Sequence, residues 1–155
     1  MKNVEMKDEL IDNQTLMLES VFIDNLKTRI VKTDGIYYSE ISILKLLEDA
    51  CIRNASTVEG RLKAIKILMN YSVKVPLLIE PNNLGAFPTM SYKHVECVWI
   101  FNHPFEVEEL SKGKSIVHFP NGIRVSVNVS KQVLLKQHHR LHTSLNIYGM
   151  NHLKK

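Results

Sequence analysis

The chain has 155 residues, 45% of them apolar and 23% charged, which is enough apolar material for one core and one globular domain. No apolar run approaches the roughly 18 residues that would cross a bilayer, and the polar, acidic opening MKNVEMKDELIDN lacks the apolar segment of a secretory signal, so a cytoplasmic protein is expected and a membrane protein is not. The net charge of +4 is lopsided: residues 1–60 hold seven Lys/Arg against eleven Asp/Glu, residues 61–155 hold thirteen against five, and no acid occurs from Ser130 to Lys155, which points to a polyanionic partner, nucleic acid ahead of a membrane surface.

Residues 1–13 are polar and aperiodic and are expected to form a flexible segment; residues 14–150 then make a single domain and residues 151–155 a basic tail. Leu16–Ile23 and Thr28–Lys32 read as strands, Asp34-Gly35 as a hairpin turn and Ile36–Tyr38 as the returning strand. Ser42 is placed to cap a helix over Ile43–Arg53, where Ile43, Leu46, Leu47, Ala50 and Cys51 recur at i, i+3, i+4, i+7 and i+8 and form one apolar face. Cys51 is then a core thiol, and Cys51 with Cys97 makes no disulfide framework. Ser56-Thr57-Val58-Glu59 has the form of a capping box, with Ser56 as cap and Glu59 reaching back, and opens a second helix. Its Arg61 and Lys63 lie two residues apart, about 200° around a helix, so they cannot share one stripe. Lys66 is its third basic residue, and Ala64–Met69 fits helix or strand.

The stretch Lys74–Thr89, KVPLLIEPNNLGAFPT, holds Pro76, Pro81 and Pro88. Proline cannot donate to a sheet ladder, so Pro76 and Pro81 are expected to bracket a short buried strand over Leu77-Leu78-Ile79, followed by an Asn82-Asn83 turn. By composition the stretch reads as a hinge between an acidic, helix-rich front and a basic, strand-rich back. Val95–Phe101 reads as a strand from the alternation of Val95, Cys97, Trp99 and Phe101. Ile116–Phe119, the turn Pro120-Asn121-Gly122 and Ile123–Val129 read as a hairpin with φ > 0 at both central turn positions, Val125, Val127 and Val129 facing one way and Arg124 the other. Ser130 caps a final helix from Lys131 to about Tyr148, closed by Gly149. Together the elements predict an α+β fold: a single domain of mostly antiparallel sheet with two or three helices, including a basic amphipathic helix at the C-terminal end.

Enzyme signatures are missing. There is no G-x-S-x-G, P-loop or G-x-G-x-x-G, and Glu108 and Glu109 are adjacent and diverge, so no catalytic residue and no cofactor are expected. His138 and His142 stand at i and i+4, a spacing that suits a metal. The zinc-protease motif would place Glu where His139 stands and no carboxylate follows as a third ligand, so no metal centre is expected. Lys136, His139 and Arg140, at i, i+3 and i+4, make one basic stripe, separate from the apolar Val133, Leu134, Leu141 and Leu145. A basic helix beside a sheet face carrying Arg124 gives a phosphate-contacting surface. Such contacts position a protein and make binding salt-dependent; sequence is read by base edges or groove shape.

Several short motifs recur in order between Ile36 and Arg140, about two-thirds of the chain. They are Asn54–Arg61 (NASTVEGR), Lys74-x-Pro76, Ile79-x-Pro81, Phe87-Pro88-Thr89, Cys97-x-Trp99-Ile100, Phe119-x-Asn121-Gly122, Ser130 and Gln137-x-x-Arg140. With these the chain resembles the ComK family of bacterial competence transcription factors. The resemblance implies a DNA-binding activator of genes for DNA uptake and transformation, which recognises A/T-rich double-stranded DNA through the minor groove as a homo-oligomer and bends it. Of the matched positions it assigns Gly60-Arg61 and Arg140 to DNA. Lys63, Lys66, Arg124, Lys131, Lys136 and His139 join them by charge and expected placement. Lys74 is assigned to its turn, and Pro76, Pro81, Pro88, Cys97 and Trp99 to the fold. Longer members continue past the point where this chain ends, with a C-terminal extension associated with a proteolytic adaptor. The resemblance therefore implies a short member, a short paralogue that modulates a longer homologue by hetero-oligomerisation, or a partial protein.

Overall fold

A computed structural model describes residues 10–153, with side chains as far as Met150. Six antiparallel strands form the larger sheet: β1 (Thr15–Ile23), β2 (Leu26–Lys32), β3 (Gly35–Ser39), β4 (Leu77–Glu80), β5 (Leu84–Pro88) and β6 (Trp99–Phe101), in the order β3-β2-β1-β6-β5-β4. A second antiparallel sheet holds β7 (Glu106–Ser111), β8 (Lys114–His118) and β9 (Arg124–Val127) in chain order. The helices are α1 (Ile43–Arg53), α2 (Val58–Met69) and α3 (Lys131–Leu153). The α+β, mostly antiparallel fold with a C-terminal helix is as expected.

Period-2 alternation sorts the larger sheet onto two cores. Leu18, Ile30, Leu77, Trp99 and Phe101 join the α1 side, while Met17, Val31, Leu78, Phe87 and Ile100 join Val117, Val125, Leu134 and Leu141 of the small sheet and α3. Both faces are covered, which is why Leu77–Ile79 and Trp99–Phe101 are unbroken apolar runs rather than alternating ones. Prolines 76 and 81 bracket β4 as expected, and β4 is an edge strand, so their missing donors break no ladder. The hinge reading does not hold: β5 lies between β4 and β6, and β6 pairs with β1, so front and back residues build one sheet. Where Pro88 ends β5, Thr89 continues the ladder, its N–H donating to the Val98 carbonyl at 2.9 Å and its Oγ1 accepting from the Val98 N–H at 3.0 Å.

Helix α1 starts and packs as its sequence predicts, with Ser42 Oγ accepting from the Lys45 N–H and the five apolar positions buried. The cap of α2 is displaced by one residue. Ser56 and Ala55 donate to the Cys51 and Ile52 carbonyls, with Ala55 at φ 58°, which is the closure of α1. Ser56 is thereby committed, and Thr57 caps α2 by accepting from the Gly60 N–H at 3.0 Å. Glu48 of α1, rather than Glu59, supplies the second acceptor, taking the Val58 N–H at 2.9 Å. Ala64–Met69 is helical.

Other elements depart from their sequence reading for physical reasons. β6 begins at Trp99, not Val95, because His94 and Cys97 donate to the Ser91 and His94 carbonyls in successive turns, leaving Val95 exposed. In the hairpin only Gly122 has positive φ (89°), since Pro120 holds the first turn position negative; Gly122 donates to the Phe119 carbonyl. The acidic β7 has no apolar alternation and is held by its pairing along β8. Helix α3 runs through Gly149 to Leu153. Gly149 is a close-approach residue: a Cβ there would collide with the Asn82 side chain in the β4–β5 turn. Of the expected flexible segment, residues 1–9 lie outside the described residues, whereas Ile11 is buried in the core and its carbonyl accepts from Arg53 Nη2. Of the expected basic tail, residues 151–153 continue α3 and Lys154 and Lys155 lie outside the described residues.

Candidate nucleic-acid interface

Helix α2 ends at Asn70 in the left-handed conformation, and residues 71–75 carry the chain along α3 to β4. Ser130 starts α3, its Oγ accepting from the Val133 N–H. The inward stripe of α3 includes a buried amide, Gln137. Its Nε2 donates to the Lys74 carbonyl at 2.8 Å and the Pro88 carbonyl at 3.3 Å, while its Oε1 accepts from Arg140 Nη1 at 2.7 Å. Arg140 also donates to the Val73 carbonyl at 3.2 Å and lies 3.8 Å above the Tyr71 ring. A stacked, half-buried cation of this kind positions the 71–74 segment against α3.

The clamp leaves a groove. One end is walled by Tyr71, Ser72 and Val73 on one side and Lys136, His139 and Arg140 on the other. Two further hollows adjoin it: one beyond Ser72 and Val73 is lined by Lys66, Lys74 and Tyr92, and one sharing Lys66 and Tyr92 with it is lined by Lys63. Lys63, Lys66, Lys136 and His139 are exposed, and the acids Glu48 and Glu59 stand at the Lys63 end only. The structure thus brings together Lys63, Lys66, Lys136, His139 and Arg140 from the sequence-expected set. It places the others elsewhere. Arg61 points to the opposite side of α2, donating to the Asn54 carbonyl at 3.3 Å and lying 5.0 Å from the Tyr148 ring, so it ties the end of α1 to α3. Arg124 is on the outward face of the small sheet, in register with His118 and Glu106. Lys131 sits at the start of α3, its N–H donating to Glu109 Oε1. The sequence reading missed Lys74, Tyr71 and Tyr92 as groove residues; the interleaving of Lys66, Tyr71, Lys74 and Tyr92 was the available signal.

On the other flank of α3, His138 packs edge-on to Phe105 at 4.6 Å between ring centroids, and near Phe87 at 6.3 Å. Burial above all, and then His142, push its pKa down to about 4, against a bond to the His103 backbone that favours the charged ring. Burial, and then His139, lower His142 as well. Cys51 is pushed up to about 11 by burial, and burial raises Cys97, so both thiols are protonated and unreactive at neutral pH. Among the described residues no three His, Cys, Asp or Glu gather as a metal site, and no helix is long and apolar enough to cross a membrane.

The fold is α+β, two antiparallel sheets with basic side chains gathered where α2, residues 71–74 and α3 meet. The family model described as ComK protein matches residues 6–151, and the chain belongs to the ComK family. It is similar to the competence transcription factor of Bacillus subtilis (strain 168), with 26% identity over 105 residues. That match covers 66% of this chain and 55% of the relative, so it spans about half the relative's length. No solved structure matches the chain.

Proposed function

We propose that the protein is a transcription activator of competence genes that binds A/T-rich duplex DNA through the minor groove, as a homo-oligomer. The observation that carries this reading is that Lys63, Lys66, Lys74, Lys136, His139 and Arg140, from three separate chain segments, line three adjoining hollows. In this reading Lys63, Lys66, Lys136 and His139 contact phosphates. Arg140 shapes the wall, and Arg61 acts behind it by holding α2 to α3. Arg124 and Lys131 contact the flanks of a longer DNA path. Narrow A/T-rich minor grooves have a deepened negative potential that favours Lys and Arg. A major-groove docking of α2 is disfavoured, because Glu59 and the capping Glu48 put carboxylates at the helix start, where a recognition helix meets DNA.

Gel shifts against A/T-rich and G/C-rich duplexes over a salt series test the reading. Preference for the A/T-rich duplex is expected, with the five Lys/Arg contacts giving a slope of about −4 to −5 in log affinity against log salt. No shift with either duplex overturns it. A second reading, modulation of a longer homologue without DNA binding, is favoured by the exposed Phe22, Leu44, Tyr92 and Val95 around one hollow. It requires hetero-oligomers in light scattering together with no gel shift by this chain alone.

A further inference from the structure

The basic stripe of α3 uses one flank of the helix; the opposite flank carries His138 and His142, one turn apart. Their Nε2 atoms approach to 3.0 Å. We propose that this pair is a two-histidine chelate for a zinc-class divalent ion, completed by water. It stands apart from the DNA reading.

The distance is the first argument. Two imidazole nitrogens bound to one tetrahedral zinc, each at about 2.05 Å, lie about 3.3 Å apart. The 3.0 Å contact is a hydrogen bond in which one Nε2 carries the proton; chelation moves that proton to the ring's Nδ1, opens the separation by a few tenths of an ångström and turns both lone pairs to a common point. His142 is exposed and free to make that rotation, and the ion reaches the pair from solvent.

The second argument is the support behind His138. Its Nε2 faces His142, and the His103 backbone lies beside the ring. A ligating histidine characteristically donates its other N–H to a carbonyl, which fixes the tautomer with the ligating nitrogen unprotonated. Phe105 and Phe87 hold the ring edge-on, so its orientation is set before an ion arrives. Imidazole selects zinc, copper or nickel over calcium or magnesium. No third His, Cys, Asp or Glu joins the pair among the described residues, so the site is open and weaker than a closed structural centre.

Isothermal titration of tag-free protein with zinc chloride tests this. One ion per chain is expected. Removing a ligand costs at least what removing its hydrogen-bonded support does, so His142→Ala should lower affinity by about tenfold or more. His94→Ala, at an exposed histidine remote in sequence, should leave it unchanged. Because His142 is exposed, circular dichroism of the variant should match the parent. Absence of binding, or equal affinity in His142→Ala, overturns the proposal. Zinc-induced shifts of the His138 and His142 ring resonances, without shifts at His118, would place the ion at the pair.

Discussion

The two sheets are built on different rules. The larger is covered on both faces and is apolar on both, with Trp99, Phe87 and Phe101 among its fully buried side chains. The smaller is covered on one face only; Ser115, Val117, Val125 and Val127 point in, while Arg124, Ser126 and the acidic β7 face solvent. The contrast assigns stability to one sheet and leaves the other's outer surface free to vary. It also separates two equally basic residues: Arg124 stands on the open face of the small sheet, as its alternation predicts, and Lys136 beside the 71–73 segment.

The contrast can be tested first where it is steepest. Trp99→Ala should cost about 3–5 kcal/mol in denaturant unfolding, the usual penalty for deleting a buried large aromatic. A loss under a third of that would mean the larger sheet relaxes around the gap. Next is Gly85 in β5, where a Cβ would meet Leu141 Cδ1 at 2.9 Å and the Leu77 carbonyl at 3.2 Å. Gly85→Ala should destabilise by about 1–3 kcal/mol, since the backbone oxygen cannot yield as a side chain can.

His138 lies between β5 and the segment leading into β7, and its titration probes that seam. Its folded pKa of about 4 lies below the ordinary 6.5, so between these values the unfolded chain binds more protons. The stability contributed by the neutral ring is therefore intact above pH 6.5 and lost as pH falls toward 4. The denaturant midpoint should drop between pH 7 and pH 5, and His138→Phe should flatten that dependence. Smaller effects belong to DNA affinity: Lys136→Ala should reduce the salt slope by about 1, whereas Arg124→Ala should change affinity less than Lys136→Ala. The reverse order would move the interface from the groove to the small sheet. The smallest effect is expected at the exposed edge, where Leu110→Ala should stay within about 0.5 kcal/mol.

Much of the larger sheet was legible in the sequence because its signals are local. The Asp34-Gly35 turn, the Ser42 cap and the proline pair around β4 each fix an element without help from distant residues. β7 was not legible, since an acidic strand is stable only once β8 is beside it. The displaced α2 cap depended on Ser56 being drawn into the closure of α1, and the length of α3 on Asn82 accommodating Gly149. At the site, helical spacing was sufficient to unite Lys136, His139 and Arg140 and to separate Arg61 from Lys63. It could not show that residues 71–74 fold back along α3, so Lys74 was assigned to its turn and Tyr71 was given no role.

The Gln137 amide has a consequence for how binding data should be read. The groove wall hangs on a neutral amide, three backbone carbonyls and a ring stack, and no ion pair joins it among the described residues. Arg140 is the only cation among them and is half-buried, and added salt screens partly buried contacts much less than exposed charges. On the proposed DNA reading, this wall should change little across a salt series, and the slope should then count ions displaced from the DNA rather than a change in the protein.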